Sequence, residues 1–295
     1  MAHINEIKLR MKSIRETRQI TNAMKLISAA KLKKAKKQLE KASPYFEKVR
    51  STMADILLRS GKIENKYFHA RDEKTDKKKA YIVITGEKGF AGGYNHNIIK
   101  FTEECLKQDK DPLLFVAGNV GRNHFLKNKY NVYMEFDYPV QNPSIYMARE
   151  IMEVILDLFD KEVFDELYII YTHMFSNIKM EPSIIKLLPL ELDTLKEKLQ
   201  INESTEKIVD GCMEYEPDPE YVFNVLVRKY IKGVVYGAFV ESFTSEQNSR
   251  MTAMDNATAN ANDMLKKLDL LYNRARQSKI TQDITEIVGG AEALK

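Results

Sequence analysis

The C-terminal quarter of this chain contains almost no helix breakers. After Pro219 there is no further proline, and only Gly233 and Gly237 interrupt the run before Gly289 and Gly290. This pattern predicts one continuous helix whose stop signal is the glycine pair. At about 1.5 Å of rise per residue, such a helix would be roughly 100 Å long. No single globular domain buries a rod of that length, so we expect another element or another chain to cover part of it.

A heptad pattern runs along this predicted helix. Its apolar residues alternate spacings of three and four, and they are Met254, Ala257, Ala261, Met264, Leu268, Leu271 and Ala275. This is the a/d pattern of a left-handed coiled coil. From Ile280 onward the spacing becomes that of an ordinary helix, through Ile284, Ile287 and Val288. The change indicates that the end of the helix faces a different environment.

A second long helix is predicted for residues 3–59. Its apolar stripe contains Ile4, Ile7, Met11, Ile14, Ile20, Met24 and Ile27. Pro44 is the only breaker, and it predicts either a new helix start capped by Ser43 or a kink. Two long helices at opposite ends of the chain, each with heptad spacing, predict one antiparallel coiled coil.

The first of these helices is strongly basic. Residues 1–60 carry 15 lysines and arginines against five acidic residues, although the whole chain has a formal net charge of only +4. Five lysines form a run, namely Lys31, Lys33, Lys34, Lys36 and Lys37. They indicate either a solvated helix face or a contact with an anionic partner. A nucleic-acid partner is less favoured, because no aromatic residues interleave with the lysines.

Other classes of protein are disfavoured by composition. No apolar run approaches the roughly 20 residues that a membrane-spanning helix needs. The N-terminus has no apolar signal segment, and Glu6 and Glu16 argue against a transit peptide. Cys105 and Cys212 lack the spacing of a metal or redox pair, so we expect two reduced, buried thiols.

The middle of the chain predicts an inserted α/β domain. Strands are predicted at 80–85, 113–117, 131–136, 166–173 and 183–189, the last two forming a hairpin, with helices at 96–107, 123–129 and 144–161. This alternation favours a largely parallel sheet. The predicted organisation is an N-terminal helix at 1–60, an inserted domain at 61–218, with irregular chain from 193, and a C-terminal helix at 219–295.

The glycine-rich loop at 86–95 follows the first predicted strand, where phosphate-binding loops are often found. Its glycines do not form G-x-G-x-x-G, and the chain has no G-x-x-x-x-G-K-[ST] motif. We therefore interpret the loop as a tight turn with Asn95 as the cap of the following helix. The five histidines are scattered without metal-binding spacing. No candidate active site emerges, which favours a mechanical or architectural role.

Four stretches of the chain, residues 7–32, 85–95, 245–257 and 280–293, together resemble the gamma subunit family of F-type ATP synthase. Residues 7–32 resemble its N-terminal helix, 85–95 its loop after the first strand, and 245–257 and 280–293 its C-terminal helix and terminal signature. The departures are small. The family usually has serine and aspartate at Gly86 and Glu87, and glutamate at Asp283.

The resemblance implies a central rotor stalk: an antiparallel coiled coil carrying a Rossmann-like α/β foot. The coiled coil would lie inside a ring of alternating alpha and beta subunits, and the foot would sit on the membrane c ring beside the epsilon subunit. Turning would couple ion translocation to ATP synthesis or hydrolysis. The catalytic residues and Mg-ATP or Mg-ADP would belong to the alpha and beta subunits, so no cofactor is expected in this chain. The expected location is the cytoplasmic side of a bacterial cell membrane, as a peripheral protein.

The resemblance also implies contacts with the alpha and beta ring. Those on the two helices are Met24, Lys25, Glu246, Arg250, Arg276, Gln277, Thr281, Asp283 and Glu286. The apolar tip expected in the sleeve of the ring consists of Ile284, Ile287 and Val288. The turn at 215–219 and the loops of the foot are expected to meet epsilon and the c ring. Two alternatives compete with this interpretation: a nucleic-acid-associated coiled-coil protein with an α/β domain, and a nucleotide-binding switch enzyme that uses the 86–95 loop.

Overall fold

The computed structural model describes residues 2–60, 67–68, 77–107, 109–176, 179–190 and 214–293. Within these residues the chain forms five α-helices and four β-strands. It divides into two compact units. The first contains Met1–Ala30 and Arg250–Lys295, and the second contains Lys31–Ser249. Most of the predicted linker and of the irregular segment at 193–218 lies outside the described residues, and so does Cys212. The three-part division of the chain stays a prediction.

The two long helices exist with nearly the predicted bounds. Helix α1 is Ala2–Ser60, and helix α5 is Pro219–Ala293. Helix α1 continues through Pro44, and the Ser43 hydroxyl donates to the Glu47 carboxylate at 3.0 Å instead of capping a new helix. The predicted stop at Gly289 and Gly290 is wrong, since α5 runs through both. A glycine costs a helix only about 1 kcal/mol, and helix-forming residues follow.

The second unit contains a mixed four-stranded sheet. Its strands are β1 Lys79–Ile84, β2 Leu113–Ala117, β3 Glu166–Met174 and β4 Met180–Leu188. They lie in the order β2-β1-β3-β4. Strand β1 pairs in parallel with β2 and β3, and β3 forms the predicted antiparallel hairpin with β4.

One predicted strand is wrong. In the segment 131–136 only Val132 pairs with the sheet, through a single parallel bridge to Leu114. The chain then turns, with the Phe136 N–H donating to the Tyr133 carbonyl, and buries the Phe136 ring. The apolar residues that suggested a strand therefore belong to a turn that places them in the core.

Helices cover both faces of the sheet. They are α2 Tyr94–Leu106, α3 Asn119–Lys127 and α4 Ile145–Asp160, which is capped by Ser144. Helices α2 and α3 bury one face through residues such as Ile98 and Phe125. The other face packs on α4 and on the parts of α1 and α5 that belong to this unit. Parallel strands buried on both sides explain why β1 is an unbroken apolar run.

The first unit is an antiparallel pair of helices. Ile7 and Met11 of α1 pack on Leu268 of α5, and Leu265, Tyr272 and Ala275 join this cluster. The Lys8 ammonium lies 5.5 Å from the centre of the Tyr272 ring. The pairing confirms the predicted coiled coil.

The predicted seam is only half right. Met254, Ala261 and Leu268 are buried as expected, but Met264 and Leu271 are 54% and 50% exposed. Their neighbours Leu265 and Tyr272 face α1 instead. On α1, Ile20 and Ile27 are also exposed, whereas the polar Thr21 and Ser28 are buried.

Candidate partner-contact surface

Polar side chains tie the two helices of the first unit together. Lys25 Nζ lies 2.5 Å from Asp255 Oδ1, and the hydroxyls of Thr21 and Thr258 lie 2.8 Å apart. Further along, Arg18 donates to Asn262 Oδ1 at 3.1 Å. These three rungs differ in burial: the Thr21–Thr258 contact lies on the face that apolar residues fill in an ordinary coiled coil, whereas the Lys25–Asp255 pair lies at its exposed edge. They fix the register of the pair, since only one alignment brings all of these partners together.

Sequence reasoning missed these rungs because a search for heptads looks for apolar residues. Polar residues at a helix seam look like solvated positions in a single chain. Lys25 was predicted to contact a partner subunit, and here its ammonium is engaged by Asp255 within the chain. Met24 is half-buried beside it. Their contact roles stay predictions.

The end of α5 extends past the start of α1. Lys8 lies beside Tyr272, and the first described residue of α1 is Ala2, so the later residues of α5 have no partner in the described part of α1. Every described side chain from Ile280 to Ala291 is exposed. We call residues 276–291 the free end of α5.

The free end carries an apolar stripe. Ile280, Ile284, Ile287 and Val288 are spaced so that they share one side of the helix. Ile284 is 55% exposed, and Ile287 is 71% exposed. A contiguous exposed apolar patch on a soluble helix is typical of an interaction site.

The predicted polar contacts of this segment lie around the stripe. Arg276, Gln277, Thr281, Asp283 and Glu286 are all exposed. The Thr281 hydroxyl donates to the Gln277 carbonyl, and Gln282 donates to the Glu286 carboxylate at 2.9 Å. These hydrogen bonds are local to one helix, so the groups remain accessible from outside.

Two other predicted contact residues are located differently. Glu246 is 4% exposed, and Arg250 is 9% exposed. A side chain built on Gly86 would come within 3.2 Å of the Glu246 carboxyl carbon, so this glutamate packs on the loop after β1. Contact of these two residues with another subunit stays a prediction.

The loop between β1 and α2 is tied to its own surroundings. The prediction that Asn95 caps α2 is wrong. Its side chain accepts from the Gly86 N–H at 2.8 Å and donates to the Lys88 carbonyl. The Glu87 carboxylate accepts from the Val140 N–H and from Asn119. Gly118 follows β2 with φ +91°, and a Cβ there would lie 2.3 Å from the Thr85 carbonyl oxygen.

This geometry is unfavourable for a phosphate. In Rossmann-like folds phosphates lie at the carboxyl ends of the parallel strands, where backbone N–H groups and a helix N-terminus face the ligand. Here the Gly86 N–H is already bonded, and the carboxylates of Glu87 and Glu246 flank the loop.

Neither the pKa shifts nor the placement of metal-binding residue types indicates a reactive centre in the described part of the chain. Burial, with Glu104 and Asp109 nearby, raises the pKa of the half-buried Cys105 thiol, which makes it a poorer nucleophile. No group of three or more histidine, cysteine, aspartate or glutamate residues in that part could hold a metal ion. Among the described helices, none is both long and apolar enough to cross a membrane.

Comparisons with known proteins agree with the resemblance. A family model described as ATP synthase matches residues 3–294. The ATP synthase gamma chain of Ruminiclostridium cellulolyticum is 57% identical over 294 residues, which is 99% of each chain. The gamma chain of Caldanaerobacter subterraneus subsp. tengcongensis is 43% identical, over 97% of this chain and 98% of that protein.

A solved structure has the same fold. A chain of the Euglena gracilis mitochondrial ATP synthase, described as OSCP/F1/c-ring in rotational state 3, superposes with a TM-score of 0.64. The match covers 99% of this chain and 95% of that one at 17% identity, so it supports the fold alone. The nucleic-acid alternative has no support in these comparisons. Because the family model spans nearly the whole sequence and a curated relative shares more than half of its residues, this chain belongs to the ATP synthase gamma chain family.

Proposed function

We propose that this chain is the central rotor stalk of an F-type ATP synthase. It transmits torque between a membrane c ring and the catalytic beta subunits, and so couples ion translocation to ATP synthesis or hydrolysis. The free end of α5 carries this proposal, since its apolar stripe is exposed and no described element of the chain covers it, which favours a surrounding partner. The family membership of the chain identifies that partner as the alpha and beta ring.

The remaining partners follow from the same assignment. The sheet domain, by which we mean β1–β4 with α2–α4, contacts the epsilon subunit and the c ring. The chain is a peripheral protein on the cytoplasmic side of a bacterial membrane, bound there through the c ring. Mg-ATP and Mg-ADP are bound and turned over by the alpha and beta subunits, and this chain contributes no catalytic residue.

The rungs between α1 and α5 suit this role. Two intertwined helices resist twisting better than one, and directional polar contacts keep them from sliding past each other. An asymmetric stalk changes the nucleotide affinity of each beta subunit only if it contacts the different states differently. Exposed apolar side chains on both helices offer such contacts, for example Ile20 and Ile27 on α1 and Met264 and Leu271 on α5.

The test is assembly with the ring. A tagged copy is expressed with the alpha and beta subunits of the same organism, and the co-purified ring is quantified. We expect the double variant Ile284→Asp/Ile287→Asp to recover much less ring, because it places charge on the apolar stripe. The control Tyr146→Asp alters a residue that is 74% exposed on α4 and should recover as much ring as the unmodified chain. Equal recovery by all three would contradict the assignment of the free end.

A further inference from the structure

The second unit contains a polar connection between the sheet and α5 that neither the seam nor the free end accounts for. Most of α5 in this unit packs through apolar residues such as Val235, Phe239 and Phe243. From Ser242 onward the buried residues become mainly polar, and they are Ser242, Thr244, Ser245, Glu246, Gln247 and Asn248. Buried polar groups are costly unless they are hydrogen-bonded, so this segment indicates specific partners.

The first partner is the backbone of Thr172 in β3. Strand β1 pairs with β3 only as far as Val83 opposite Ile170, and the residue opposite Thr172 on β4 is Pro182, which has no N–H to donate. Helix α5 supplies hydrogen-bond partners for the backbone N–H and carbonyl of Thr172. The Thr172 N–H donates to Ser242 Oγ at 3.1 Å, and the Ser245 hydroxyl donates to the Thr172 carbonyl at 3.3 Å.

The second partner is the next residue of the strand. His173 Nδ1 lies 2.6 Å from Glu241 Oε2. The imidazole is held edge-to-face by Phe175, with the ring centres 4.4 Å apart, and by Tyr171 at 6.2 Å. Burial and the charge of Glu241 raise the pKa of Tyr171 to about 12, which is consistent with a carboxylate held close to this ring.

These contacts differ in kind from the apolar packing around them. Glu241, Ser242 and Ser245 share one side of α5, since they are one and three residues apart. The hydrophobic effect that drives apolar burial is non-directional. Hydrogen bonds weaken steeply with angle, so three of them between one strand and one helix turn resist rotation of the helix about its own axis.

We propose that Thr172, His173, Glu241, Ser242 and Ser245 form a mechanical joint that passes torque between the sheet domain and α5. We call this group the β3–α5 joint. The proposal rests on the rotor function proposed above and assigns the load to particular groups. Removing the joint makes the rotor more compliant in torsion, so that the same torque twists the connection through a larger angle.

The test measures torsional stiffness in the complex with the alpha and beta subunits. The ring is immobilised, and a bead is attached through Tyr146→Cys in a Cys105→Ser/Cys212→Ser background. Rotation is stopped with an inhibitor of the beta subunits, and the angular fluctuation of the bead gives the stiffness. We expect a loss of stiffness in Glu241→Ala and in Ser242→Ala/Ser245→Ala. Glu241→Gln keeps an oxygen acceptor for His173 and should recover most of it.

The chain offers a matched control. His124 Nε2 lies 2.8 Å from Glu103 Oε1, with side-chain exposures of 36% and 35%, against 35% and 33% for His173 and Glu241. This pair joins α2 to α3 inside the sheet domain, so Glu103→Ala should leave the stiffness unchanged. If Glu241→Ala fails to assemble with the ring, the stiffness of Ser242→Ala/Ser245→Ala tests the joint instead.

The outcomes separate the joint from the rotor function. Unchanged stiffness in the joint variants, or an equal loss in Glu103→Ala, overturns the joint. A bead on the unmodified complex that does not rotate while ATP is hydrolysed overturns the proposed function itself.

Discussion

Thr172 and Thr85 are both buried threonines near strand ends, but their hydroxyls differ in hydrogen bonding. The Thr85 hydroxyl donates to the carbonyls of Ala117 and Gly118 and accepts from the Gly121 N–H. The Thr172 hydroxyl is buried without a hydrogen-bond partner among the described residues. An unsatisfied buried hydroxyl costs free energy, whereas a satisfied one stabilises the fold.

The two threonines therefore predict opposite effects of the same substitution. Thr85→Val should lower the free energy of unfolding by about 1–3 kcal/mol, because it leaves buried backbone groups unpaired. Thr172→Val should leave it unchanged or raise it by about 1 kcal/mol, because it removes only an unpaired hydroxyl. Denaturant unfolding of the purified chain measures both. A loss at Thr172 as large as that at Thr85 would mean that the Thr172 hydroxyl has a partner.

Individual residues were also where sequence reasoning was least accurate. Asparagine is a common helix-capping residue, but the Asn95 side chain closes the loop instead. Its partner, the Gly86 N–H, can be identified only in the folded loop. Residues 254, 261 and 268 are spaced seven apart, so they occupy the same heptad position, and they are buried as predicted. Between them, Met264 and Leu265 are adjacent and both apolar, so the spacing alone cannot decide which one faces α1.

At the scale of elements, the approach of α1 to α5 depends on glycine at one position and not at another. A Cβ on Gly233 would lie 2.5 Å from Phe46 Cδ1, whereas a Cβ on Gly237 would meet nothing within 4 Å. Both glycines lie within α5 and line a groove between the helices in the second unit. Glycine at 233 thus lets the Phe46 ring pack directly on the helix backbone.

This pair predicts a contrast within one helix. Gly237→Ala should raise the free energy of unfolding by about 0.5–1 kcal/mol, since alanine favours the helix and the space is open. Gly233→Ala should lower it by about 1–3 kcal/mol, because Phe46 has to move. The midpoint of thermal unfolding compares the two variants directly. Stabilisation by both would show that α1 and α5 are not in close contact at Phe46.

The elements themselves were predicted well where one physical signal dominates. Long segments with few helix breakers predicted the two helices, although α1 contains Pro44, and apolar segments that alternate with helices predicted the sheet and its hairpin. The strand at 131–136 was mispredicted because a turn that buries aromatic residues has the same composition as a strand. The polar rungs and the β3–α5 joint could not be predicted, since they depend on residues more than 60 positions apart that show no period.

At the scale of the whole molecule, the chain combines polar contacts between its own elements with an exposed apolar stripe on α5. The rungs and the joint hold α1, α5 and the sheet domain together through directional contacts. The free end of α5 leaves its apolar side chains for another protein. This arrangement suits the transmission of force, and the account depends on the chain turning within a ring.

Rotation observed in single complexes tests that claim most directly. The alpha and beta ring is fixed to a surface, a bead is attached to this chain through Tyr146→Cys, and ATP is supplied. The account predicts continuous rotation of the bead in one direction at a rate that follows ATP hydrolysis. Sustained hydrolysis by complexes that retain the chain, with a bead that only fluctuates about a fixed angle, would contradict it.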